Sequence, residues 1–290
     1  MKKNLNLFAL SLCAAVVAFG IPAFAQFNLG GFLEKAEKAA KFAKNVAGAT
    51  VEMTEADEIA NGENMAAVFL GTMDLHSDVN LQRYVNRVGR WVALHSERPN
   101  LNWTFSVLDS TTVNAFAVPG GTIFVTSGLV KKMRSEAELA GVLGHEVAHV
   151  VLRHHVKAIM ANSGKDALMG LGEVALERSK GSALGKEAAK IVGGLVASVY
   201  SKGLDKGDEF EADRMGVILA ARAGYDPYGL VVVLQKLAGL SSDAGISMMS
   251  THPSAADRMA KIEEFTNVLD RFSTQPQVET RFQRATASLK

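Results

Sequence analysis

The stretch GVLGHEVAHVVLRHH, Gly141 to His155, holds four of the chain's seven histidines, and it narrows the possible folds more than any other segment. Read as one helix at about 100° per residue, it puts His145, Glu146 and His149 within an arc about 100° wide. Leu143, Val147, Val150 and Val151 gather on the other side of the same wheel, so one face packs and the other faces a site. His154 and His155 fall about 140° and 240° round from His149, which makes them surface or packing residues. Ser135 with Glu138 three positions later is a capping box that opens this helix.

Two imidazoles at the H-E-x-x-H spacing reach one zinc ion, while the glutamate between them contacts the attacking water rather than the metal. A catalytic zinc site needs a third protein ligand and one open position. Sixty residues on, GDEFEADRMG sets Glu209 and Asp213 about 40° apart on a helix, with Glu211 about 200° from Glu209. Only one of the two glutamates can therefore face a metal together with Asp213, which is then placed to orient a ligand imidazole through its other N–H. The alternative for this cluster is a solvated acidic turn in which Asp208 and Glu211 cap a helix. In THPSAADR, Pro253 holds His252 at a stiff junction before a helix. His252 is then either a hydrogen-bonded structural residue or the donor that an oxyanion requires. Arg258 follows six residues later, in position to pair with Asp213 or another acid near the metal.

The rest of the chain frames that site. An ordinary globular composition, 48% hydrophobic and 21% charged, gives ample material for a core. With 31 basic and 30 acidic residues, nothing suggests a nucleic-acid partner. The opening MKKNLNLFALSLCAAVVAFGIPAFAQ has two lysines, an apolar run and small residues Ala23 and Ala25, the pattern of an export signal over residues 1–25. A retained membrane anchor is the alternative. The single cysteine, Cys13, lies inside the leader, and Leu12 before it argues against lipidation there. Residues 26–70 read as an amphipathic helical segment, and Leu81, Val85, Val88 and Val92 form a core stripe on a further helix. NWTFSVLD and the two runs around Pro119, Gly120 and Gly121 alternate like strands. No later apolar run approaches the length of a membrane span. The fold class expected is α+β, predominantly helical, with a small β-sheet.

GHEVAHVVLRH, EFEAD, NAFAVPGGTIFVTSGL and THPSAADR, in this order, resemble the zinc metallopeptidases grouped with the CAAX prenyl protease and HtpX, in particular their soluble exported members. The resemblance covers about Asp74 to Phe265. It implies a zincin-like (gluzincin) fold over residues 71–266, an edge strand lining the active site, and a tail at 267–290. It also implies one zinc per chain held by His145, His149 and Glu209, with Glu146 as general base. Asp213 would support the ligands, joined on the residue reading by Arg258, His252 would be the oxyanion donor, and Asn114, Ala115 and Phe116 would bind substrate backbone. The implied function is an endopeptidase acting on unfolded or misfolded exported proteins, in the periplasm or peripheral to the outer membrane, with outer-membrane assembly machinery as a possible partner. A zinc-stabilised chaperone or assembly factor is the rival reading, and a metal-sequestering protein a weaker third. Residues 161–207, rich in glycine between the two ligand helices, read either as a mobile helical cover or as a helical hairpin in the core.

Overall fold

A computed structural model describes residues 53–161, 200, 203–239 and 252–289; the leader and nearly all of the expected cover segment lie outside them. One compact unit runs from Met53 to Lys290. Its first helix, α1 (Glu55–Leu70), starts at Thr54, whose side chain accepts from the Asp57 N–H. Helix α2 (Val79–Ala93) is capped by Asp78, which accepts from Asn80 and Leu81. The expected stripe on α2 is core: Leu81, Val85, Val88 and Val92 are all buried, each worth about 1.5–3 kcal/mol of apolar burial.

Three strands follow, β1 (Thr104–Leu108), β2 (Ala115–Val118) and β3 (Thr122–Thr126). Their order is β1-β3-β2, with β1 parallel and β2 antiparallel to β3. The hairpin between β2 and β3 turns on Pro119–Gly121, where Gly120 has φ +80°. Helix α1 lies on that turn, and a Cβ at Gly62 would sit 1.7 Å from the Pro119 carbonyl oxygen.

Helix α3 (Glu136–Val151) begins at Ser135, whose side chain accepts from the Glu138 N–H at 3.2 Å. Glu138 reaches back to the Arg134 N–H, one residue earlier than a capping box requires. Every residue of α3 from Glu136 to Val150 is buried, so the face that carries the motif is covered as fully as the face that packs.

The helix does not continue to His155. It breaks at Leu152 and Arg153, where Arg153 takes φ +59°, and a second helix, α4, occupies residues 154–161. His154 and His155 are therefore off the wheel drawn for an unbroken helix, and both are buried. Helices α5 (Lys206–Arg222), α6 (Gly229–Ala238), α7 (Ala255–Glu263) and α8 (Glu279–Ala285) follow. Helices α3 and α5 cross backbone to backbone: a Cβ on Gly144 would lie 2.8 Å from the Gly216 oxygen, and one on Gly216 would lie 2.7 Å from the His145 nitrogen.

Candidate metal centre

The glycine crossing sets the site, because His145 follows Gly144 and the acidic face of α5 arrives opposite it. His145 Nε2 and His149 Nε2 lie 3.0 Å apart, with Glu209 Oε2 3.6 Å from the first and Glu209 Oε1 3.6 Å from the second. Zinc bonded tetrahedrally at about 2.0–2.2 Å spaces its ligand atoms about 3.3 Å apart, so these three side chains fit one metal ion. The charges fit as well. Glu209 and Glu146 each bury one carboxylate oxygen, Oε1, without a hydrogen-bond partner among the described residues, a costly arrangement that a cation relieves. His145, His149, Glu209 and His252 together form a group able to hold such an ion.

The surroundings keep the imidazoles neutral, the form that ligates. Burial, then the Arg258 guanidinium, holds His145 below the usual imidazole range. Burial and four neighbouring imidazoles hold His149 well below it. Asp213 Oδ1 lies 2.9 Å from His145 Nδ1 and orients the ring. Buried Arg258 grips Asp213 with Nε at 2.8 Å and Nη2 at 2.5 Å. Although burial opposes it, that guanidinium holds the Asp213 carboxyl well below the ordinary range. Glu146 is displaced the other way: burial first, then the neighbouring Glu209 charge, pushes it up to about 8.

His252 stands just before α7, whose N-cap is Ser254. Its Nδ1 is 2.5 Å from Glu209 Oε2, and its ring lies 5.6 Å from that of His145. Glu211, two residues from Glu209, is exposed and faces away from the ligand atoms, as the wheel predicts.

A cavity of about 270 Å³ opens beside these groups, and Glu146, His149, Glu209 and His252 share its lining with Asn114, Ala115 and Phe116 of the β2 edge. The Asn114 carbonyl accepts from the Thr126 N–H. Ala117 instead receives the Tyr200 hydroxyl on its carbonyl at 2.6 Å and gives its N–H to Glu146. Antiparallel pairing alternates, so Ala115 and Ala117 turn their backbone groups away from β3, whereas Asn114 and Phe116 turn theirs toward it. The sequence reading missed Tyr200, Phe69 and His155, which form the cavity's aromatic wall. Phe69 lies 4.6 Å from Phe116 between ring centres, and Tyr200 stacks on His155 at 5.0 Å. Burial pushes His155 down to about 3, so it too is neutral. It missed His154 as well, whose partner is His149.

Two histidines and a glutamate on one helix, acidic groups on a second, and a small sheet whose edge strand borders the cleft make up a zincin-like metallopeptidase fold. The comparisons agree: the Peptidase family M48 profile matches residues 80–266, and the chain belongs to that family. It is 30% identical over 184 residues to the mitochondrial metalloendopeptidase OMA1 of Schizosaccharomyces pombe, covering 63% of this chain and 52% of that one. It is 29% identical to the beta-barrel assembly-enhancing protease of Yersinia pestis, covering 76% and 46%, and 31% identical to the metalloprotease LoiP of Escherichia coli, covering 55% and 61%. The chain thus spans about half the length of the relatives it matches. Among the described residues, no helix is long and apolar enough to cross a membrane.

Proposed function

We propose that this chain is a zinc-dependent endopeptidase that cuts unfolded or damaged exported proteins, with its peptidase domain over residues 71–266. The observation that carries the reading is the convergence of three side chains at metal spacing beside a buried glutamate with an unpaired oxygen among the described residues. A purely structural zinc site has no use for that glutamate, which counts against the reading as a zinc-stabilised chaperone.

His145, His149 and Glu209 hold the metal. Zinc bound there supplies Lewis acidity, which makes water a usable nucleophile near neutral pH and the scissile carbonyl more electrophilic. Glu146 takes the proton from the attacking water and passes it to the leaving amine. Its position suits it to both tasks, because it lines the cavity beside the ligand side chains with one carboxylate oxygen unpaired among the described residues. Asp213, neutralised by Arg258, keeps His145 in the ligating orientation. His252 donates to the oxyanion after turning from Glu209.

Substrate enters extended and adds to the β2 edge. The strand assigned from sequence, Asn114 to Phe116, is retained, and Ala115 supplies the hydrogen bonds, because its backbone groups turn away from β3 beside the cavity, whereas the Ala117 carbonyl is already taken by Tyr200. Export through the 1–25 leader puts the protein in the periplasm or against the outer membrane. The relatives named for β-barrel assembly suggest outer-membrane proteins and their assembly machinery as clients and partners.

The test is Glu146→Gln. It should bind about one zinc per chain, as the wild type does, yet lose nearly all cleavage of casein or an unfolded outer-membrane protein, since it removes the base and leaves the ligands. Wild-type-like cleavage by the variant, or wild-type cleavage that a chelator does not stop, defeats the mechanism.

A further inference from the structure

The hydrogen bonds that orient the metal ligands extend beyond Asp213. His154 is completely buried, and its Nδ1 lies 2.9 Å from His149 Nδ1. Its Nε2 faces Glu211 Oε2 at 3.4 Å and Asp208 Oδ1 at 3.5 Å, on the first turns of α5. The helix break makes this possible. On an unbroken helix His154 would lie about 140° round from His149, but the left-handed turn at Arg153 folds it back beneath that ring. Arg153 is held in this conformation by Nε on Glu58 Oε2 at 2.9 Å and Nη2 on the Met53 carbonyl at 2.7 Å.

Proton placement along this chain has one solution once His149 offers its Nε2 lone pair to a metal. A neutral imidazole with a bare Nε2 carries its proton on Nδ1, so His149 donates and His154 accepts. His154 then carries its own proton on Nε2, the atom that faces two carboxylates. In the reverse arrangement His154 donates from Nδ1, the His149 proton moves to Nε2, and an N–H points at the metal position.

We propose that His154 is a positioning residue that locks His149 in its metal-binding tautomer, and that Asp208 and Glu211 lock His154 in turn. The proposal rests on the metal-centre reading above. It gives each ligand imidazole its own acceptor: Asp213 for His145 and His154 for His149. His154, Asp208 and Glu211 also have the spacing of a second cation site. A cation on His154 Nε2 would force its proton to Nδ1 and cost His149 the ligating tautomer, so the two sites oppose each other.

The test is zinc affinity, measured on the full chain by competition with a chromogenic chelator, for wild type, His154→Ala and His154→Asn. Asparagine carries an amide oxygen about where Nδ1 stood and remains an acceptor, which alanine does not. The expected results are binding about 10- to 100-fold weaker in His154→Ala and recovery to within about threefold of wild type in His154→Asn. In the cobalt-loaded proteins, the visible bands of His154→Asn should match wild type while those of His154→Ala shift. Wild-type affinity in His154→Ala overturns the proposal, as does equal weakening in both variants. Two zinc ions per wild-type chain that fall to one in His154→Ala, with the remaining affinity unchanged, also overturn it, by making the cluster a second cation site. A wild-type chain that binds no zinc overturns the metal-centre reading itself, and the two failures are thereby distinguished.

Discussion

Glu209 and Glu211 stand two residues apart in different media. Glu209 is fully buried against two ligand imidazoles, and the Glu211 side chain is 56% exposed. Burial favours the neutral form of Glu209, but the adjacent His252 and His145 and the nearby Arg258 charge lower its pKa and keep it ionised. Glu209→Ala is therefore expected to lose zinc outright, while Glu211→Ala keeps it to within a few-fold. Metal analysis after gel filtration decides this, and zinc loss in Glu211→Ala alone would mean that the acidic face of α5 is misassigned. The 3.6-residue period made the choice legible, since once α5 is helical only one of the two can face α3. The left-handed Arg153 was not legible. No residue type announces that conformation in an arginine, and the interaction that holds it comes from Glu58, far away in the sequence.

At the level of elements, the Gly144–Gly216 crossing fixes the distance between the two helices that carry the proposed ligands. A methyl at Gly216 would meet the backbone of His145, which cannot move without moving the ligand. Gly216→Ala should cost about 1–3 kcal/mol and weaken zinc binding as well, read from thermal melts and chelator competition. Gly207→Ala on the same helix is the control, because a Cβ there meets nothing within 4 Å. Wild-type zinc binding in Gly216→Ala would show that the crossing does not set the ligand geometry. Helix and strand periods let the amphipathic α2 and the β2–β3 hairpin be read in advance, since alternation and stripe are local signals. The crossing was hidden in an ordinary-looking glycine of GDEFEADRMG, because close approach depends on what arrives from elsewhere.

Across the whole molecule, α3 is tied at both ends by buried glutamates. At its start, Glu136 accepts from Tyr84 of α2 at 2.9 Å, from Tyr225 after α5 at 2.7 Å, and from Arg281 of α8, whose Nε lies at 2.6 Å. At its end, Glu58 of α1 binds Arg98 and Arg153, and Arg98 also donates to the Val150 carbonyl. Burial opposes the Glu136 charge, but Arg281 and the two tyrosines hold its carboxyl below the ordinary value of 4.5. The unfolded chain then takes up the proton first as pH falls, so the stabilisation is complete above about 4.5 and lost below it. Glu136→Gln should cost about 3 kcal/mol at pH 7 and converge with wild type in acid. Urea melts across that range test this, and a difference that does not change with pH would count against it. The edge of β2 has a consequence for selectivity. Under the proposed function a client must offer extended, unpaired backbone to Ala115, and a folded protein keeps nearly all its buried backbone groups paired within its own structure. On the proposed reading the cleft senses conformation rather than sequence. The rate at which a client is cut then follows the fraction of time it spends open, a property of the client's own stability.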